Sequence, residues 1–413
     1  MRYVIIGASA AGVSAARELR RLKPEAEIVL VSKDREVYSR CILHHYISGR
    51  RTRDQLSFVE NDFETRYRLD WRKGVSCTGV LPSEKVILLS DQSRLSFDKL
   101  LIASGSHTFL PPIPGLNQVS GVYGLRNMED AGILKEKAAC APHIVVMGGG
   151  LIGMDAASGI LELGKPLTLI EMENRLLPKQ LDQESAAVYE KALTRHGARV
   201  CLGTGIQEVV GNADGAIDHL RLTNGETIPC DLLVVTTGIR ATVDYLEGSG
   251  IETDRMGLVV DECGRTNMED IYGAGDVTGR SPIWPAAVKQ GIVAAGNMCG
   301  IPQKMTDFFA SKSTMNFFGI PSMSLGSPLP PDDSFQVETA IQDGIYRKLI
   351  HKNGRISGAI LQGDLSYGGI LTQLIARRID VSRVKKPLFK IDYSDFFHTS
   401  ENFEYYYEDS VTD

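Results

Sequence analysis

The sequence predicts an α/β protein that has two Rossmann-like domains and an α+β C-terminal domain. Three observations predict this fold class: a strand–glycine turn–helix–strand pattern at the N-terminus, the same pattern 141 residues later, and a strand-rich segment after about residue 305. Two βαβ units in one chain imply parallel sheets. The length of 413 residues leaves room for about three domains of roughly 150 residues each.

The first pattern starts with a β-rich run from Arg2 to Ile6. A glycine turn occupies residues 7–12 (GASAAG), and the helical pattern after it ends near Pro24. Residues 28–31 (IVLV) then predict a second buried strand. A turn of this kind lets backbone N–H groups approach the pyrophosphate of a dinucleotide at a helix N-terminus.

This first glycine motif is incomplete. Ser9 stands where the middle glycine is expected, between Gly7 and Gly12. The acid expected after the second strand is also absent, since Ser32 and Lys33 follow that strand. Ser32 could bind a ribose hydroxyl, although less strongly than a carboxylate would. These residues alone leave the first site undecided.

The second glycine motif is complete. Gly148, Gly150 and Gly153 form the turn, and Glu171 ends the next strand, 23 residues after the first of these glycines. A carboxylate there accepts hydrogen bonds from ribose hydroxyls and repels a 2′-phosphate. The motif therefore predicts a site for NADH, with NADPH less favoured, although Arg175 lies near enough in sequence to weaken that preference.

Composition and charge exclude several classes of protein. Hydrophobic residues make up 43% and charged residues 23% of the chain, which excludes wholesale disorder. The formal net charge of −6 argues against non-specific binding of nucleic acid. No apolar run approaches the roughly 20 residues of a membrane helix, and the N-terminus reads as a strand rather than a targeting peptide. We therefore expect no nucleic-acid or membrane partner and a cytoplasmic location.

Seven cysteines are spread widely along the chain, at positions 41, 77, 140, 201, 230, 263 and 299. The count is odd and no CxxC pair occurs, so we expect neither a disulfide framework nor a metal site. Free thiols fit a reducing compartment. The open question is whether one of these thiols takes part in chemistry.

The segment after about residue 305 has a different character. Strand-rich runs at residues 336–341 and 346–350 are followed by Asn353-Gly354, a pair that predicts a hairpin turn. A helical stretch runs from Ile370 to Arg378. The last 22 residues, from Asp392, hold seven acids and seven aromatics. The acids favour a solvated tail, whereas the aromatics indicate that part of it packs against something, such as a second subunit.

Four further segments complete an ordered set of motifs. Residues 100–106 (LLIASGS) form a strand that closes on small residues, residues 111–115 (PPIPG) follow, and residues 234–240 (VVTTGIR) repeat the pattern. Residues 271–277 (IYGAGDV) place Asp276 after a glycine turn. Together with the glycine motifs, this set resembles the FAD/NAD(P)H-dependent pyridine nucleotide-disulfide oxidoreductase family over nearly the whole chain.

The resemblance implies FAD in a discontinuous domain, residues 1–112 and 236–304, and NADH in an inserted domain, residues 113–235. Residues 305–413 would form the C-terminal α+β interface domain, which often makes a homodimer. The FAD contacts that the resemblance implies are Gly7, Ser9, Gly12, Ser32, Lys33, Arg40, Ser104, Gly105, Asp276 and Trp284. The NADH contacts that it implies are Gly148, Gly150, Gly153, Asp155, Glu171 and Gly238. Asp276 would bind the ribityl chain; the alternative for it is a helix N-cap.

Cys41 lies in a segment, residues 38–47 (YSRCILHHYI), that should begin a helix beside the flavin. Relatives resembling glutathione reductase have two cysteines here, so a dithiol cycle within this segment is excluded. The lone cysteine resembles coenzyme A-disulfide reductases, persulfide reductases and NADH oxidases. A helix N-terminus and Arg40 would lower the pKa of its thiol, and His44 or His45 could relay protons. The alternative is that Cys41 is an inert, packed side chain.

A second branch of the family is also similar to this chain. Residues 38–40 (YSR) and 284–288 (WPAAV) resemble NADH:rubredoxin and ferredoxin reductases, in which the flavin passes electrons straight to a small iron–sulfur protein. That branch has proline where this chain has Cys41. It often has a Lys–Glu pair near the flavin, and the matching positions here are His45 and Asp155.

These resemblances predict an FAD-dependent NAD(P)H oxidoreductase. The first expectation is electron transfer through Cys41, with His45 as its catalytic partner, to a small disulfide, persulfide or oxygen acceptor. The alternative enzyme serves a rubredoxin or ferredoxin without thiol chemistry. An alternative of another class is a non-catalytic flavoprotein or NADH-sensing binding protein, which the missing acid at Ser32 and the tail support. Tyr393 and residues 405–407 (YYY) are candidates to line an acceptor face.

Overall fold

The N-terminal elements follow the predicted strand–turn–helix order. The computed structural model describes residues 1–305 and 312–407. In chain order, the first elements are β1 (Arg2–Ile6), α1 (Ala10–Leu22), β2 (Glu27–Ser32), α2 (Leu43–Ile47), α3 (Phe63–Arg66), β3 (Leu69–Lys73), β4 (Cys77–Leu81), β5 (Val86–Leu89), β6 (Arg94–Ser96), β7 (Lys99–Ile102) and β8 (Ser106–Thr108). Helix α1 ends two residues before Pro24, because proline cannot continue a helix.

The middle of the chain repeats this order. Its elements are β9 (Val122–Gly124), α4 (Met128–Cys140), β10 (Ile144–Met147), α5 (Leu151–Glu162), β11 (Leu167–Glu171), α6 (Gln183–Arg195), β12 (Ala198–Leu202), β13 (Ile206–Gly211), β14 (Ile217–Leu222), β15 (Thr227–Pro229), β16 (Leu232–Val235), β17 (Ile239–Ala241), β18 (Ile271–Gly273) and α7 (Trp284–Met298). The predicted second βαβ unit is therefore confirmed.

The C-terminal elements are mostly antiparallel strands. They are β19 (Lys312–Phe317), β20 (Ile320–Gly326), β21 (Gln336–Gln342), β22 (Ile345–Lys352), β23 (Arg355–Gln362), α8 (Gly368–Ala376), β24 (Phe397–Thr399) and β25 (Tyr405–Tyr407). The predicted α/β fold class with an α+β C-terminal part is confirmed. Among the described residues, no helix combines the length and the apolar character needed to cross a membrane.

The described chain divides into two compact units. The first holds residues 1–148, 155–168 and 205–305, and the second holds residues 149–154, 169–204 and 312–407. The division falls within the predicted second βαβ unit, in helix α5 and strand β11.

A five-stranded parallel sheet, in the order β18, β7, β1, β2, β3, forms the centre of the first unit. Strands β1, β2 and β7 are largely apolar and buried, as is typical of parallel sheets covered on both faces, whereas the edge strand β3 is mostly polar and partly exposed. Tyr3 and Ile5 of β1 pack in one core with the apolar residues of α1 and α7. Val4 and Ile6 pack in a second core with residues of β4 and β5. In the same unit, β10 pairs in parallel with β16, and β16 with β9.

The second unit contains a five-stranded antiparallel sheet in the order β19, β20, β23, β22, β21. The predicted hairpin turn is confirmed: Asn353 and Gly354, at φ 50° and 72°, join β22 to β23. Left-handed backbone at both central residues is typical of the type I′ turn. Helix α8 packs on this sheet, and Phe396 of the C-terminal tail lies buried in the same core.

The structure describes only part of the predicted acidic and aromatic tail. Tyr393 is exposed. The side chains at 405–407 and the whole of residues 408–413 lie outside the described residues.

A buried ion pair joins α6 to the C-terminal sheet within the second unit. The ammonium of Lys348 lies 2.8 Å from Oδ2 of Asp182, and these side chains are only 11% and 13% exposed. The hydroxyl of Tyr346 also donates to Oδ2 of Asp182. Oδ1 of Asp182 accepts from Ser185 N–H at 3.1 Å and so caps α6.

Asp182→Asn should therefore destabilise the protein without removing the helix cap, since asparagine is also a good N-cap. The Lys348 ammonium would be left buried without a carboxylate, which costs about 3 kcal/mol of unfolding free energy. Urea unfolding measures the change. Glu84→Gln, at the exposed pair with Arg94, is the control and should change stability by less than about 1 kcal/mol. Equal losses of stability in the two variants would contradict the assignment of Asp182 and Lys348 as a buried ion pair.

Candidate active site

The first glycine turn brings helix α1 against strand β7. Gly7 has φ +112°, and a Cβ there would lie 2.1 Å from the carbonyl oxygen of Ala103. A Cβ at Gly12 would lie 1.8 Å from the carbonyl oxygen of Gly7. Both positions therefore require glycine, although Ser9 makes the motif incomplete.

The N-terminus of α1 is suited to an anion. Ser9 is the N-cap residue, its side chain makes no capping hydrogen bond, and the first turn contains no acid. The N–H groups of that turn therefore have no side-chain acceptor, and the helix dipole favours negative charge there. These residues fit the pyrophosphate of a dinucleotide.

Ser32 and Lys33 follow β2, as predicted, but the Ser32 hydroxyl already has partners inside the protein. It donates to the carbonyl oxygen of Asp34 at 2.5 Å and accepts from Nε1 of Trp71 at 2.8 Å. Ser32 is also buried, whereas Lys33 is exposed. Of the two, Lys33 is the side chain with more freedom to reach a ligand.

Ser104 and Gly105 lie at the end of β7. The Ser104 hydroxyl donates to the carbonyl oxygen of Thr242 at 2.9 Å and lies 3.1 Å from the hydroxyl of Tyr245. Gly105 has φ +72° and open space where a Cβ would lie. Ser104 thus ties β7 to the segment after β17, and Gly105 leaves the adjoining backbone uncovered.

Asp276 belongs to a polar cluster that the sequence did not reveal. Its carboxylate accepts from the Ser106 hydroxyl at 3.1 Å and from the guanidinium of Arg126. Arg126 also donates to the Ser106 carbonyl oxygen at 3.2 Å. Asp276 is the first residue of the 3₁₀ turn Asp276–Thr278, and its neighbour Gly275 occupies the cap position. The alternative role of Asp276 as a helix N-cap is therefore wrong.

Gln290 supports the turn that holds Asp276, and Trp284 begins the helix that carries Gln290. Gln290 of α7 is buried; its amide oxygen accepts from Gly275 N–H at 2.7 Å, and its amide nitrogen donates to the Arg280 carbonyl oxygen at 3.2 Å. Trp284, at the start of α7, packs edge-on against Phe58 with ring centroids 4.6 Å apart. In the sequence, Gln290 could be suspected of a role because it follows the motif at residues 284–288. No motif marks Arg126.

The sequence predicted that the charge of Arg40 lies beside Cys41, but the guanidinium has other partners. Its guanidinium donates to Asp34 Oδ2 at 2.6 Å, to the Tyr38 hydroxyl at 3.1 Å and to the Arg126 carbonyl oxygen at 3.0 Å. The positive charge is therefore paired with Asp34 and is not directed at Cys41.

Cys41 is exposed, in the 3₁₀ turn Arg40–Ile42 that precedes α2. Protein atoms nevertheless crowd its sulfur, and this partial loss of water is the largest cause that raises the pKa of the thiol. The carboxyl of Asp155 raises it further, and Arg126 opposes the rise. The expectation that Arg40 and a helix N-terminus lower this pKa is wrong. Arg40 is turned away, and α2 has only five residues, which leaves its dipole weak.

His44 and His45 have different surroundings, although they are adjacent on α2. Nδ1 of His44 lies 3.1 Å from Oδ1 of Asp155, but the direction of the contact does not make a hydrogen bond. The His45 ring is tilted against that of His44, with centroids 4.1 Å apart. His44, and not His45 at the position that matches the family's Lys–Glu pair, therefore lies against Asp155.

Burial shifts the pKa of all three of these groups. It lowers the pKa of His44 to about 3, helped by His45 and Arg50. It lowers the pKa of His45, to which Arg50 also contributes. It holds the pKa of Asp155 well above its ordinary value. Each shift favours the uncharged form, as expected where water is excluded.

The second glycine turn is supported on one side by Thr236. Gly148 has φ +107°, and a Cβ there would lie 2.8 Å from the Thr236 carbonyl oxygen. The Thr236 hydroxyl donates to the carbonyl oxygens of Met147 and Gly148, at 2.8 and 3.0 Å. Gly238, two residues further on, has φ +133° with open space around it.

Glu171 fixes the following part of the turn. Its Oε2 accepts from Gly149 N–H at 2.6 Å, and its Oε1 accepts from Glu173 N–H at 2.8 Å. Next to Gly149, Gly150 has open space where a Cβ would lie. Gly153 lies in the first turn of α5. A carboxylate is thus held at the glycine turn, where the sequence predicted one.

Arg175 does not compete with this carboxylate. Its guanidinium donates to the carbonyl oxygens of Leu181 and Pro178, at 3.0 and 2.9 Å, and to the side chain of Asn174 at 3.3 Å. These bonds hold Arg175 in its own loop, so it is not free to receive a 2′-phosphate.

The comparisons with known proteins agree with this architecture. The family described as "Pyridine nucleotide-disulphide oxidoreductase" matches residues 1–291, and "Rubredoxin NAD+ reductase C-terminal domain" matches residues 312–379. The subunit epsilon of NADH-dependent phenylglyoxylate dehydrogenase from Aromatoleum evansii is 31% identical over 399 residues, 93% of each chain.

Two further relatives differ more in length. The assimilatory nitrate reductase electron transfer subunit of Bacillus subtilis (strain 168) is 26% identical over 396 residues, 94% of this chain and 51% of that one. This chain therefore spans about half of that relative. The solved structure of a NAD-dependent persulfide reductase from A. fulgidus has a TM-score of 0.81 at 26% identity and covers 92% of this chain and 77% of its own.

The pKa shifts of His44 and Asp155 predict opposite effects on stability. Because the folded pKa of His44 is about 3 rather than 6.5, the unfolded chain binds the proton more readily, and stability falls as pH falls below 6.5. Because the folded pKa of Asp155 is raised from 3.8, stability rises as pH falls towards 3.8. In the wild type the two effects cancel over the range in which both act.

Asp155→Asn should remove this cancellation. As pH falls below 6.5, the unfolding free energy of this variant should fall more steeply than that of wild type, by up to about 1.4 kcal/mol per pH unit, because the His44 imidazole takes up a proton on unfolding. His44→Gln should give the opposite slope. Urea unfolding at several pH values measures both slopes. Parallel pH profiles in the wild type and both variants would contradict the burial shifts.

Proposed function

Because the chain belongs to the pyridine nucleotide-disulphide oxidoreductase family, we propose that it oxidises NADH with a bound FAD and passes the electrons directly to an iron–sulfur protein. The family makes the protein an oxidoreductase that acts with a pyridine nucleotide. The direct route to the acceptor and the iron–sulfur partner are the proposal.

The surroundings of Cys41 carry this proposal. A thiol that exchanges with disulfides or persulfides works as a thiolate, and such thiols lie beside cations that lower the pKa. Here partial loss of water is the largest cause that raises the pKa of Cys41, the carboxyls of Asp155 and Asp276 raise it further, and Arg126 and a hydrogen bond with Ser39 oppose the rise. Arg126 is itself bound to Asp276. The resting protein therefore keeps Cys41 as a thiol at neutral pH, which favours electron transfer that bypasses it.

The relatives support a protein acceptor. The C-terminal part matches a domain described from rubredoxin NAD+ reductase. The relative from A. evansii is a subunit of a dehydrogenase, and the relative from B. subtilis is an electron transfer subunit. Both names are those of subunits, and this supports a macromolecular acceptor for this chain.

In this proposal the residues of the site fall into two groups, one that binds FAD and one that binds NADH. The N-terminus of α1, with Gly7 and Gly12, binds the FAD pyrophosphate, and Asp276 orients the ribityl chain. Arg126 and Gln290 hold Asp276 and its turn in place. FAD supplies the redox chemistry that no side chain can supply. In domain terms, residues 1–112 and 236–304 would bind FAD and residues 113–235 would bind NADH.

The second group binds NADH. Glu171 keeps lone pairs free after accepting from Gly149 and Glu173, and these can accept from the ribose hydroxyls. A carboxylate at that place repels a 2′-phosphate. Three hydrogen bonds hold Arg175 in its loop, so Arg175 does not offset the repulsion. We therefore propose NADH rather than NADPH as the electron donor.

A route through Cys41 is the second candidate function. Its support is the exposure of Cys41 and the similarity to a NAD-dependent persulfide reductase at 26% identity over 92% of this chain. In this alternative, Cys41 would take up electrons from the flavin side and pass them to a small disulfide or persulfide. His45 would then be its proton partner, although its pKa is lowered by burial and by Arg50 and Arg51.

Cys41→Ser separates the two routes. If electrons bypass the thiol, an anaerobic titration should consume about one equivalent of NADH per flavin in both the wild type and Cys41→Ser, and NADH-dependent reduction of a rubredoxin should proceed at the same rate in both. Cys140→Ser, at an exposed cysteine, is the matched control. An excess of NADH consumed by the wild type and lost only in Cys41→Ser would establish the thiol route instead.

Glu171→Ala should weaken the preference for NADH over NADPH. Loss of charged hydrogen bonds to the ribose costs about 1.5–3 kcal/mol, which corresponds to a rise in the KM for NADH of about 10- to 100-fold. The KM for NADPH should rise less or fall, because the repulsion is removed. Steady-state kinetics with each nucleotide measure the change. Glu173→Ala keeps the N–H that binds Glu171 and should behave as wild type; a preference unchanged in Glu171→Ala would rule out the proposed role.

A further inference from the structure

The loop between β11 and α6 joins the second glycine turn to the C-terminal sheet. Its residues follow Glu171, at the end of β11, and end at Asp182, the N-cap residue of α6. We call residues 172–182 the β11–α6 loop. Residues 149–154 of the glycine turn, the loop, α6 and the C-terminal sheet all lie in the second compact unit. A constraint imposed by the sheet can therefore reach the turn within a single unit.

The loop contacts the glycine turn at Gly149. The N–H of Leu177 donates to the Gly149 carbonyl oxygen at 2.8 Å, and a Cβ at Gly149 would lie 2.8 Å from Cδ2 of Leu176. From the residue that precedes the loop, Oε2 of Glu171 accepts from Gly149 N–H at 2.6 Å. Both backbone polar groups of Gly149 are thus bonded to this segment, so the position of the turn depends on that of the loop.

The loop is closely packed and internally bonded. Leu176, Leu177 and Leu181 are fully buried. Leu177 has φ +50°, a backbone conformation that leucine adopts only where surrounding contacts enforce it. The N–H of Leu181 donates to the Leu177 carbonyl oxygen at 2.9 Å, and the Leu181 carbonyl oxygen accepts from Arg175 at 3.0 Å. A shift at Leu181 is therefore passed to Leu177 and from there to Gly149.

The far end of the loop is held by the C-terminal sheet. Asp182, next to Leu181, accepts from the Lys348 ammonium at 2.8 Å and from the Tyr346 hydroxyl, and both donors lie on β22. Burial tends to raise the pKa of this carboxyl, but the hydrogen bonds from Lys348, Ser185 and Tyr346 lower it overall. Two donors of the sheet thus hold a carboxylate at the end of the loop.

Further hydrogen bonds fix α6 against the same sheet. The Tyr189 hydroxyl donates to the Ile320 carbonyl oxygen at 2.7 Å and lies 2.8 Å from the Ser322 hydroxyl. The amide nitrogen of Gln362 donates to the Ser185 carbonyl oxygen at 3.1 Å. The side chains that make these bonds are buried. Helix α6 and the sheet therefore form one platform, and the loop ends at its edge.

We propose that Tyr346 and Lys348 of the C-terminal sheet are positioning residues for NADH. By holding Asp182, they keep the β11–α6 loop ordered and the turn at Gly149 in place before the nucleotide binds. This role rests on the proposed function, which assigns NADH to Glu171 and the glycine turn. A loop that is ordered in advance spares the binding step the entropy cost of ordering it. The C-terminal sheet thus contributes to the binding of the electron donor without an assigned contact to it.

Tyr346→Phe and Lys348→Met each remove one donor to Asp182 and keep most of the packed volume. NADH then has to order the loop as it binds, so the NADH concentration for half-maximal flavin reduction should rise by about 2- to 10-fold. The limiting rate of reduction at saturating NADH should stay as in the wild type, because the loop is ordered once the nucleotide is bound. Rapid-mixing kinetics of the FAD-loaded enzyme measure both quantities.

Arg347→Met is the matched control. Arg347 lies between the two positioning residues on β22, and its side chain projects from the opposite face of the strand, where it is paired with Asp364 at 2.7 Å. This variant should match the wild type in both quantities. A half-saturating NADH concentration unchanged in both Tyr346→Phe and Lys348→Met, or raised equally in Arg347→Met, would overturn the proposal.

Hydrogen exchange tests the loop without nucleotide. The amides of residues 175–182 should exchange faster in Tyr346→Phe and Lys348→Met than in the wild type and Arg347→Met, and NADH should slow this exchange in all four proteins. Exchange in the loop that neither substitution changes would overturn the positioning role. A wild type whose FAD is not reduced by NADH would refute the proposed function instead, and the exchange rates would still decide whether the C-terminal sheet holds the loop.

Discussion

The close approach of helix α5 to the backbone of His44 is the contact on which the arrangement around Cys41 depends. Gly159 makes that approach possible, because any side chain there would meet the His44 carbonyl group. Once α2 is held in place, His44 is buried against Asp155, and the thiol of Cys41 has carboxyls among its neighbours. A packing constraint at one glycine thereby decides the electrostatics of a neighbouring segment, and with it the form in which the cysteine is held.

The arginines around Cys41 are each paired with a carboxylate, and Arg126, although paired, still opposes the rise in the pKa of the thiol. Arg40 is bound to Asp34, Arg126 to Asp276, and Arg50 to Glu162. Asp155 lies 3.1 Å from Nδ1 of His44, and burial raises the pKa of its carboxyl. This distribution supports an electron route that bypasses the thiol. It also differs from the expectation that the surroundings of a lone cysteine beside a flavin lower the pKa of its thiol.

Much of the fold could be predicted from the sequence, because it rests on local patterns. The glycine turns at residues 7–12 and 148–153, the strands they follow and the Asn353-Gly354 hairpin all carry signals of spacing or backbone conformation. The acid at Glu171 could be predicted for the same reason. The choice of His44 rather than His45 as the partner of Asp155 could not, since both lie on one short helix and only the packing at Gly159 selects between them. The direction of Arg40 and the pairing of Arg126 with Asp276 depend on contacts distant in sequence, 150 residues in the second case.

The central claim is that Cys41 is held as a thiol and that electrons pass it by. The most direct test is the rate at which Cys41 in the FAD-loaded enzyme is alkylated as a function of pH, followed by mass spectrometry of its peptide, with the exposed Cys140 as internal reference. The account predicts an alkylation midpoint for Cys41 above the ordinary thiol value of 9.0. A midpoint near or below neutral pH would show that Cys41 is a resting thiolate and would contradict the account.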